Sequence, residues 1–261
     1  MEDRTMAAAV ITGASRGVGR AAAEIFAEKG YRLLINCQSR YDLLDEAAAA
    51  LSVKTECMAV HGPFTADILA RFLGSGSGEV RTAEVPETEQ SGRAETETES
   101  LVLVNNAGIS RIGLLQDVSD EEFEETVESN LGTMFRTTRA MIPYFLRNNG
   151  GHIINISSVW GVAGASCEVL YSLSKGGVNA FTRALAKELA PSHISVNALA
   201  LGAVDTDMNH WLTKEDRQAL DEEIPYGRMG SREEAAAMIG LLAEAPRYLT
   251  GQVIKFDGGW I

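Results

Sequence analysis

The sequence predicts an α/β protein of one domain, built on a doubly wound parallel sheet of about seven strands. Short apolar runs alternate with amphipathic helical patterns along most of the chain, which is typical of βαβ units and a parallel sheet. A glycine-rich turn, "TGASRGVG", follows the first apolar run, where doubly wound folds bind nucleotide phosphates. A length of 261 residues suits one large domain with an ample core.

The predicted strands cover residues 7–13, 31–37, 55–61, 100–106, 151–157, 193–201 and 252–259. The predicted helices cover residues 19–30, 41–52, 65–73, 119–147, 170–190 and 231–245. Lys29 and Gly30 form a basic last turn and a glycine stop for the first helix. Ser119 and Glu122 have the spacing of a capping box, and we expect that helix to bend at Pro143.

Residues 74–100 break this alternation. They are rich in Gly and Ser, then in Glu and Thr, and contain almost no large apolar side chain. Such a segment cannot offset an ordering entropy of roughly 1–2 kcal/mol per residue. We expect a mobile acidic insert within a single domain of residues 1–261. A helix-to-strand loop lies at the sheet edge opposite the ligand site, so we expect the insert on that far side.

Composition excludes several classes of partner. The formal net charge of −13 disfavours binding to nucleic acid, and no apolar run approaches the roughly 18 residues of a membrane span. The three cysteines are scattered, which fits free thiols in a reducing cytoplasm. The four histidines have no metal-ligand spacing, so we predict no metal site.

The glycine-rich turn places Gly13, Gly17 and Gly19 between the first strand and the first helix. Glycines there permit a tight turn, and the helix N-terminus offers free N–H groups and a positive dipole end to a pyrophosphate. The spacing G-x-x-x-G-x-G differs from the G-x-G-x-x-G fingerprint. A plain turn is the alternative interpretation.

The end of the second strand indicates which nucleotide binds. An acidic residue often holds the ribose hydroxyls of NAD at this point, but Cys37 and Gln38 are neutral here. Arg16 and Arg40 lie near enough in sequence to pair with a 2′-phosphate. This pattern favours NADP, with two solvated surface arginines as the alternative.

Tyr171 and Lys175 are four residues apart in a predicted amphipathic helix and therefore share one face. A neighbouring ammonium favours the phenolate and lowers the pKa of the phenol. The pair predicts a proton donor and acceptor for a substrate oxygen. From the pair alone, a surface tyrosine beside a surface lysine is the favoured interpretation.

Six motifs in order extend this picture: "TGASRGVG", "NNAG", "SNLGTMF", "INISSVWG", "YSLSK" and "VNALALG". With them the sequence resembles the short-chain dehydrogenase/reductase family, which implies a Rossmann-like fold. Within the family it is most similar to 3-oxoacyl-[acyl-carrier-protein] reductases, through "YSLSKGGVNAFTRALAKELA", "GAVDTDM" and "YLTGQVIKFDGG". That similarity implies a place in fatty acid biosynthesis.

The resemblance implies a catalytic set of Asn130, Ser158, Tyr171 and Lys175, with Ser157 as a competitor of Ser158. In the family the tyrosine is the acid/base, and the serine hydrogen-bonds the substrate carbonyl. The lysine binds the nicotinamide ribose and holds down the pKa of the tyrosine. The asparagine keeps a water in place for the proton relay.

The resemblance also implies a cofactor, NADP(H) in preference to NAD(H). The implied binding residues are Gly13, Ser15, Arg16, Gly17, Val18, Gly19, Arg40, Asn105, Ala107, Gly108, Tyr171, Lys175, Gly202 and Thr206. Two departures from the family pattern are Leu201, where a proline is usual, and Gly62-Pro63, where an aspartate followed by an apolar residue is usual. The family implies a homotetramer, with helices 120–147 and 171–190 in the interface.

The expected activity is NADPH-dependent reduction of a small or acyl-carrier-linked ketone. A related alcohol, sugar or steroid dehydrogenase is one alternative, and a catalytically silent nucleotide-binding protein is another. A serine hydrolase is disfavoured because no G-x-S-x-G surrounds Ser157 or Ser158. We expect specificity to lie in residues 207–230, read as one or two short helices. The apolar side chains there form either a lid or helix faces packed on the core: Met208, Trp211, Leu212 and Ile224.

Overall fold

A computed structural model describes residues 7–74, 100–209 and 212–261. Its strands are β1 (Ala8–Ile11), β2 (Arg32–Cys37), β3 (Cys57–His61), β4 (Leu101–Asn105), β5 (Gly151–Ser158), β6 (Ile194–Leu201), β7 (Val204–Asp205), β8 (Gly230–Ser231) and β9 (Val253–Phe256). Its helices are α1 (Gly17–Glu28), α2 (Tyr41–Leu51), α3 (Ala66–Leu73), α4 (Asp120–Val127), α5 (Thr133–Arg147), α6 (Trp160–Ala163), α7 (Val169–Leu189), α8 (Lys214–Glu223) and α9 (Arg232–Glu244).

Seven of these strands form one parallel sheet in the order β3-β2-β1-β4-β5-β6-β9. The predicted α/β class and the doubly wound parallel sheet are thus confirmed. The order reverses between β1 and β4, which pair from Ala8 with Leu101 to Ile11 with Val104. A ligand cleft is expected outside the carboxyl ends of the strands at such a reversal.

Helices cover both faces of the sheet because successive strand residues point to opposite sides. Ala9 and Ile11 of β1 pack in the cluster that contains Phe26 of α1 and Ile239 of α9. Ala8 and Val10 pack in the other cluster, which includes the buried side chains Leu69, Met141, Phe145 and Leu185. Strands buried on both faces explain why the sequence reads as continuous apolar runs.

The predicted helix 119–147 is interrupted well before Pro143, by a π-helical turn that lies between α4 and α5. Ser119 and Glu122 form the predicted capping box, with the Glu122 N–H donating to Ser119 Oγ at 3.2 Å. A π-helical turn then occupies Glu128–Gly132. The backbone N–H and the hydroxyl of Thr133 both donate to the Glu128 carbonyl. The N–H bond of Thr133 reaches back five residues, which makes this turn wider than an α-helical one. Pro143 lies further along, inside the α5 helix.

The predicted acidic insert, residues 74–100, lies almost wholly outside the described residues. Its anchor points are described, and both lie at the amino edge of the sheet. Arg32, the first residue of β2, donates to the Phe72 carbonyl at 3.1 Å. The N–H of Ala8 donates to the Ser100 carbonyl at 3.0 Å.

The predicted short helices within residues 207–230 are a 3-10 turn at Asp207–Asn209 and the α8 helix. Ile224, after α8, is buried and belongs to the core rather than to a lid, whereas Met208 is exposed. Leu212 is half-buried, and Trp211 lies outside the described residues. Within the described ranges, no helix is long and apolar enough to cross a membrane.

Candidate active site

The glycine-rich turn between β1 and α1 adopts a conformation that only glycine accepts readily. Gly13 has φ +69° and Gly17 has φ +58°, in the left-handed region. A Cβ at Gly19 would lie 2.3 Å from the Gly13 carbonyl oxygen, so helix and turn are in contact there. All three positions therefore need glycine, for conformation or for space.

The first turn of α1 is free to bind an anion. Arg16 is the N-cap residue, and its side chain makes no capping hydrogen bond. The first N–H groups of a helix have no partner within it, and the helix dipole adds positive potential there. Buried Ser15 and nearly buried Val18 flank this end. The turn therefore fits the pyrophosphate of a dinucleotide.

Asn106, which the sequence analysis did not single out, holds the glycine-rich turn against β4. Its side-chain amide donates to the carbonyls of Thr12 and Gly13 at 3.0 and 2.9 Å. Thr12 Oγ1 accepts from the N–H groups of Asn106 and Ala107 at 2.9 and 3.0 Å. The motif "NNAG" contained the signal, but we assigned the role only to Asn105, Ala107 and Gly108.

Asn105 at the end of β4 belongs to a different, buried network. Its amide donates to Asn155 Oδ1 at 2.8 Å and to Thr138 Oγ1 at 2.9 Å. Asn155 in turn donates to Thr182 Oγ1 at 2.9 Å. These bonds connect β4 to β5, to α5 through Thr138 and to α7 through Thr182. Such a network suits a residue that steadies the central strand.

Asn36 is a second residue that the sequence analysis missed. Its amide donates to the Gly62 carbonyl at 2.7 Å, and its oxygen accepts from the Gly13 N–H at 3.3 Å. The loop after β3 is thereby bound to the glycine-rich turn. Gly62 has φ +94°, so its backbone, rather than a carboxylate, forms this part of the cleft wall.

Tyr171 and Lys175 meet on one face of α7, as helical spacing predicted. Lys175 Nζ lies 5.6 Å from the centre of the Tyr171 ring. Lys175 is 4% exposed, and its ammonium donates to the Ile156 carbonyl at 2.9 Å. Tyr171 is half-buried. The alternative interpretation of two surface residues is therefore wrong.

Burial dominates the protonation of both groups. It raises the pKa of the Tyr171 phenol to about 12, although a polar interaction with Ser158 acts in the opposite direction. Burial also lowers the pKa of the Lys175 ammonium to about 8. The expected lowering of the tyrosine pKa is therefore absent in this structure, because desolvation opposes the phenolate and the lysine donates to a backbone carbonyl instead.

The two adjacent serines at the end of β5 have different surroundings. Ser157 donates from Oγ to the Lys175 carbonyl at 3.3 Å, so its hydroxyl is used in packing α7 on the sheet. Ser158 accepts from the Trp160 N–H at 3.2 Å, and a polar interaction of its side chain with Tyr171 lowers the pKa of the phenol. The geometry brings Ser158, and not Ser157, to the phenol.

Asn130 lies in the π-helical turn and is 2% exposed. Its amide donates to the Ile109 carbonyl and to Ser174 Oγ, both at 2.9 Å, and its oxygen accepts from the Ile109 N–H at 2.7 Å. A Cβ at Gly108 would lie 3.1 Å from Asn130 Oδ1 and 3.4 Å from Lys175 Nζ. Asn130 thus joins the loop after β4 to the helix that carries Lys175.

Each of the two predicted phosphate-binding arginines is paired with an aspartate. Arg16 Nη1 lies 3.2 Å from Asp207 Oδ2. Arg40 donates to both oxygens of Asp42 at 3.1 and 2.9 Å, and Asp42 raises the pKa of Arg40. These pairs are exposed, so each contributes little to stability. A bound 2′-phosphate would compete with the aspartates for the guanidinium groups.

Gly202 and Thr206 close the opposite side of the cleft. A Cβ at Gly202 would lie 2.8 Å from the Cα of Asp257, and one at Gly17 would lie 3.7 Å from the Thr206 methyl. Leu201 keeps its register with Ser158 and Phe256, so the missing proline does not displace the strand. A cavity of about 320 Å³ opens here, lined by Arg16, Gly17, Asp205, Thr206, Asp207, Ser231, Arg232 and Glu233.

The described part of the chain contains no group of three or more His, Cys, Asp or Glu side chains that could hold a metal ion. The predicted catalytic side chains are Tyr171, Ser158, Lys175 and Asn130. These side chains stand beside the glycine-rich turn at the carboxyl edge of the sheet.

Comparison with known proteins identifies relatives along the whole chain. Residues 91–261 match the family model described as Enoyl-(Acyl carrier protein) reductase, and residues 7–68 match the short chain dehydrogenase model. An uncharacterized oxidoreductase of Bacillus subtilis, YmfI, is 39% identical, with 97% of this chain and 98% of the relative covered.

Relatives with named activities and a solved structure agree. The 3-oxoacyl-[acyl-carrier-protein] reductase FabG of Thermotoga maritima is 34% identical, covering 97% of this chain and 96% of its own length. The FabG of Aquifex aeolicus is 37% identical, covering 96% and 95%. The crystal structure of a putative gluconate dehydrogenase from Agrobacterium tumefaciens has a TM-score of 0.80 and 27% identity, covering 97% and 95%.

The predicted resemblance is thus confirmed by family models that match more than half of the chain and by relatives above 30% identity over nearly its full length. The chain belongs to the short-chain dehydrogenase/reductase family of NAD(P)-dependent oxidoreductases.

Proposed function

We propose that this protein reduces a ketone to an alcohol with NADPH, and that Tyr171 protonates the substrate oxygen. The observation that supports this most is the convergence of Tyr171, Ser158 and Lys175 beside the glycine-rich turn. Family membership supplies the reaction class, and the protonated phenol suits the reducing direction.

A bound nicotinamide cofactor supplies the hydride. The N-terminal turn of α1 would hold its pyrophosphate, and Lys175, whose ammonium lies over the face of Tyr171, would bind a ribose hydroxyl. Ser158 donates a hydrogen bond to the carbonyl oxygen, which gains negative charge as the reaction proceeds. Tyr171, whose pKa is raised, keeps its proton at neutral pH and delivers it to that oxygen. Asn130 fixes the position of α7 against the loop after β4.

The preference for NADPH is supported by Arg16 and Arg40 and by the neutral end of β2. Both arginines are partly exposed and reachable. Phosphate offers more charge and more acceptor oxygens than a carboxylate, so it can displace Asp207 from Arg16 and Asp42 from Arg40. NADH brings no such group to compete with the aspartates.

The substrate that we propose is a small ketone or an acyl chain carried by a thioester. The FabG relatives, named as reductases of 3-oxoacyl groups on a carrier protein, support the second form. A dehydrogenase of a polyhydroxylated substrate is a second candidate, favoured by the structural similarity to the putative gluconate dehydrogenase. A silent nucleotide-binding protein is less well supported, because the phenol, the serine and the lysine are all retained.

We also propose a homotetramer in the cytoplasm. Exposed aromatic and aliphatic side chains on the helices of the family interface support the assembly: Phe123, Phe135 and Leu173 are 47%, 48% and 55% exposed. The three cysteines are unpaired, in accord with a reducing compartment. Light scattering tests the assembly, and a monomer at micromolar concentration would contradict it.

The experiment that tests the activity is a screen of ketones with NADPH and, separately, with NADH, followed at the nicotinamide absorbance. The panel should hold simple ketones, hydroxyketones and acetoacetyl thioesters. We expect turnover with NADPH on at least one class. If the protein binds NADPH tightly yet turns over no ketone of the panel, nor any matching alcohol with NADP⁺, that result would favour the silent nucleotide-binding protein.

A further inference from the structure

Glu168 is a charged residue of the active-site cleft that the reaction above does not use. It is the N-cap residue of α7, three residues before Tyr171, and it is half-buried. Ser110 Oγ, in the loop after β4, donates to Glu168 Oε2 at 3.2 Å. A polar interaction with the Trp160 side chain, at the start of α6, also acts on Glu168 and lowers the pKa of its carboxyl group. The carboxyl group of Glu168 therefore interacts with two segments at the carboxyl edge of the sheet, the loop after β4 and the start of α6.

This carboxyl group is close enough to Tyr171 to affect its proton. The negative charge of Glu168 contributes to the raised pKa of the phenol. The pKa of Glu168 itself is raised, chiefly because burial disfavours its charged form. The cofactor-binding turn lies on the other side of Lys175, beside Gly108. Glu168 therefore lies on the Tyr171 side of Lys175, next to the phenol to which the proposed reaction assigns the proton.

The hydrogen-bonding capacity of Glu168 is only partly used. A carboxylate offers about four lone-pair positions, and Ser110 and Trp160 occupy at most two. Within the described residues, no lysine or arginine forms an ion pair with it. A half-buried carboxylate with free lone pairs and no cation attracts a hydrogen-bond donor and repels a second anion.

Resting on the proposed ketone reduction, we propose that Glu168 determines substrate specificity by accepting a hydrogen bond from a neutral donor on the substrate. The donor is a hydroxyl of a hydroxyketone or the amide N–H of a thioester arm. A substrate with a carboxylate at that position is rejected by charge repulsion. Ser110 and Trp160 are positioning residues that aim the carboxyl group.

The test compares three ketones that share one ethyl side and differ only in the other substituent. They are 1-hydroxybutan-2-one, pentan-3-one and 2-oxobutanoate, which present a hydroxyl, a methyl and a carboxylate. A hydrogen bond to a charged group contributes enough for roughly tenfold discrimination or more. We expect kcat/KM for the hydroxyketone to exceed that for pentan-3-one by at least ~10-fold, with the keto acid lowest.

Glu168→Gln removes the charge and keeps the size of the side chain. We expect this variant to lose most of the preference for the hydroxyketone and to gain on the keto acid, while pentan-3-one changes little. Ser110→Ala should move the same ratios in the same direction by a smaller factor. Glu188→Gln, an exposed carboxylate on the same helix, is the matched control and should leave all three unchanged. A purely structural role would move the three substrates by one common factor, and that result would overturn the proposal.

A second pair of substrates separates the two sources of the donor. S-(2-acetamidoethyl) thioacetoacetate carries the amide, and S-pentyl thioacetoacetate is its counterpart without it. Dependence on Glu168 in the hydroxyketone pair assigns the donor to a hydroxyl, and dependence in the thioester pair assigns it to the amide. Either result supports the proposal, and dependence in neither pair overturns it.

Binding measurements keep this test independent of turnover. Dissociation constants for 1-hydroxybutan-2-one and pentan-3-one are measured on protein saturated with NADP⁺, where no hydride is transferred. We expect the hydroxyketone to bind at least ~10-fold more tightly to the wild type, and the two ketones to bind alike to Glu168→Gln. The two thioesters are compared in the same way. If only the proposed reductase activity is wrong, turnover is absent, but the ratio of the two dissociation constants stays as expected. Failure of the Glu168 proposal appears as equal binding to the wild type within both substrate pairs, or as ratios that the substitution leaves unchanged in both pairs.

Discussion

Lys175 buries an ammonium group beside the reacting centre, and the cost of that burial can be measured. Its pKa is lowered from 10.5 to about 8 because the side chain is desolvated. That difference corresponds to about 3 kcal/mol between the two protonation states. Lys175→Met removes the charge from a similar volume, so the pair of proteins isolates this one titration.

The sign of the effect follows from where the proton is held. Between pH of about 8 and 10.5 the unfolded chain still binds the proton that folded Lys175 has released. The contribution of Lys175 to the free energy of unfolding therefore increases as the pH rises through this window. All other titrating groups are common to the wild type and Lys175→Met, so their contributions cancel when the two free energies of unfolding are subtracted.

We expect the free energy of unfolding of the wild type, relative to Lys175→Met, to increase by about 2 kcal/mol between pH 7 and pH 10. Urea denaturation without cofactor, at several pH values, measures this difference. Lys187→Met, at an exposed position on the same helix, is the control and should show no such change. A wild-type-minus-Lys175→Met difference that stays constant with pH would refute the reasoning that burial depresses this lysine.

Three other predictions follow from the site. Ser158→Ala should lower kcat by at least ~10²-fold, as for loss of a donor to the oxyanion. Ser157→Ala, the adjacent control, should keep kcat within a few fold, and equal losses would contradict our choice of serine. Titrations should give a lower dissociation constant for NADPH than for NADH. The double variant Arg16→Ala, Arg40→Ala should bind both cofactors alike. Equal affinities of the wild type for NADPH and NADH would contradict the role of the two arginines. Replacing residues 76–97 with a short Gly/Ser linker should leave turnover nearly unchanged and shift stability by no more than about 1 kcal/mol, whereas a tenfold loss of cofactor affinity would show that the insert reaches the cleft.

Local patterns in the sequence were enough to predict the architecture and the contact between Tyr171 and Lys175. All seven predicted strands lie in the sheet, since apolar runs between helical patterns leave few other arrangements. The spacing of Tyr171 and Lys175 was sufficient to place them on one helix face, because helix geometry is fixed. The site residues are gathered because they follow the ends of neighbouring parallel strands.

Features that depend on tertiary contacts could not be predicted in this way. The π-helical turn depends on Thr133 donating twice to one carbonyl, for which the sequence has no simple signal. Arg16 pairs with Asp207, 191 positions away along the chain. The direction of the Tyr171 pKa shift depends on how deeply the phenol is buried, which spacing alone does not reveal. Glu168 resembles any helix-capping residue until Ser110 and Trp160 are seen to hold it.

The central claim, that Tyr171 donates the proton in ketone reduction, is tested most directly by the turnover of Tyr171→Phe. The substitution keeps the ring and removes the phenolic proton. Tyr248→Phe, at a residue that is 99% exposed, is the matched control. With NADPH and the best ketone of the panel, we predict a fall in kcat of at least ~10²-fold for Tyr171→Phe. NADPH affinity should be nearly unchanged, and Tyr248→Phe should behave as the wild type. Turnover of Tyr171→Phe at the wild-type rate would contradict the mechanism.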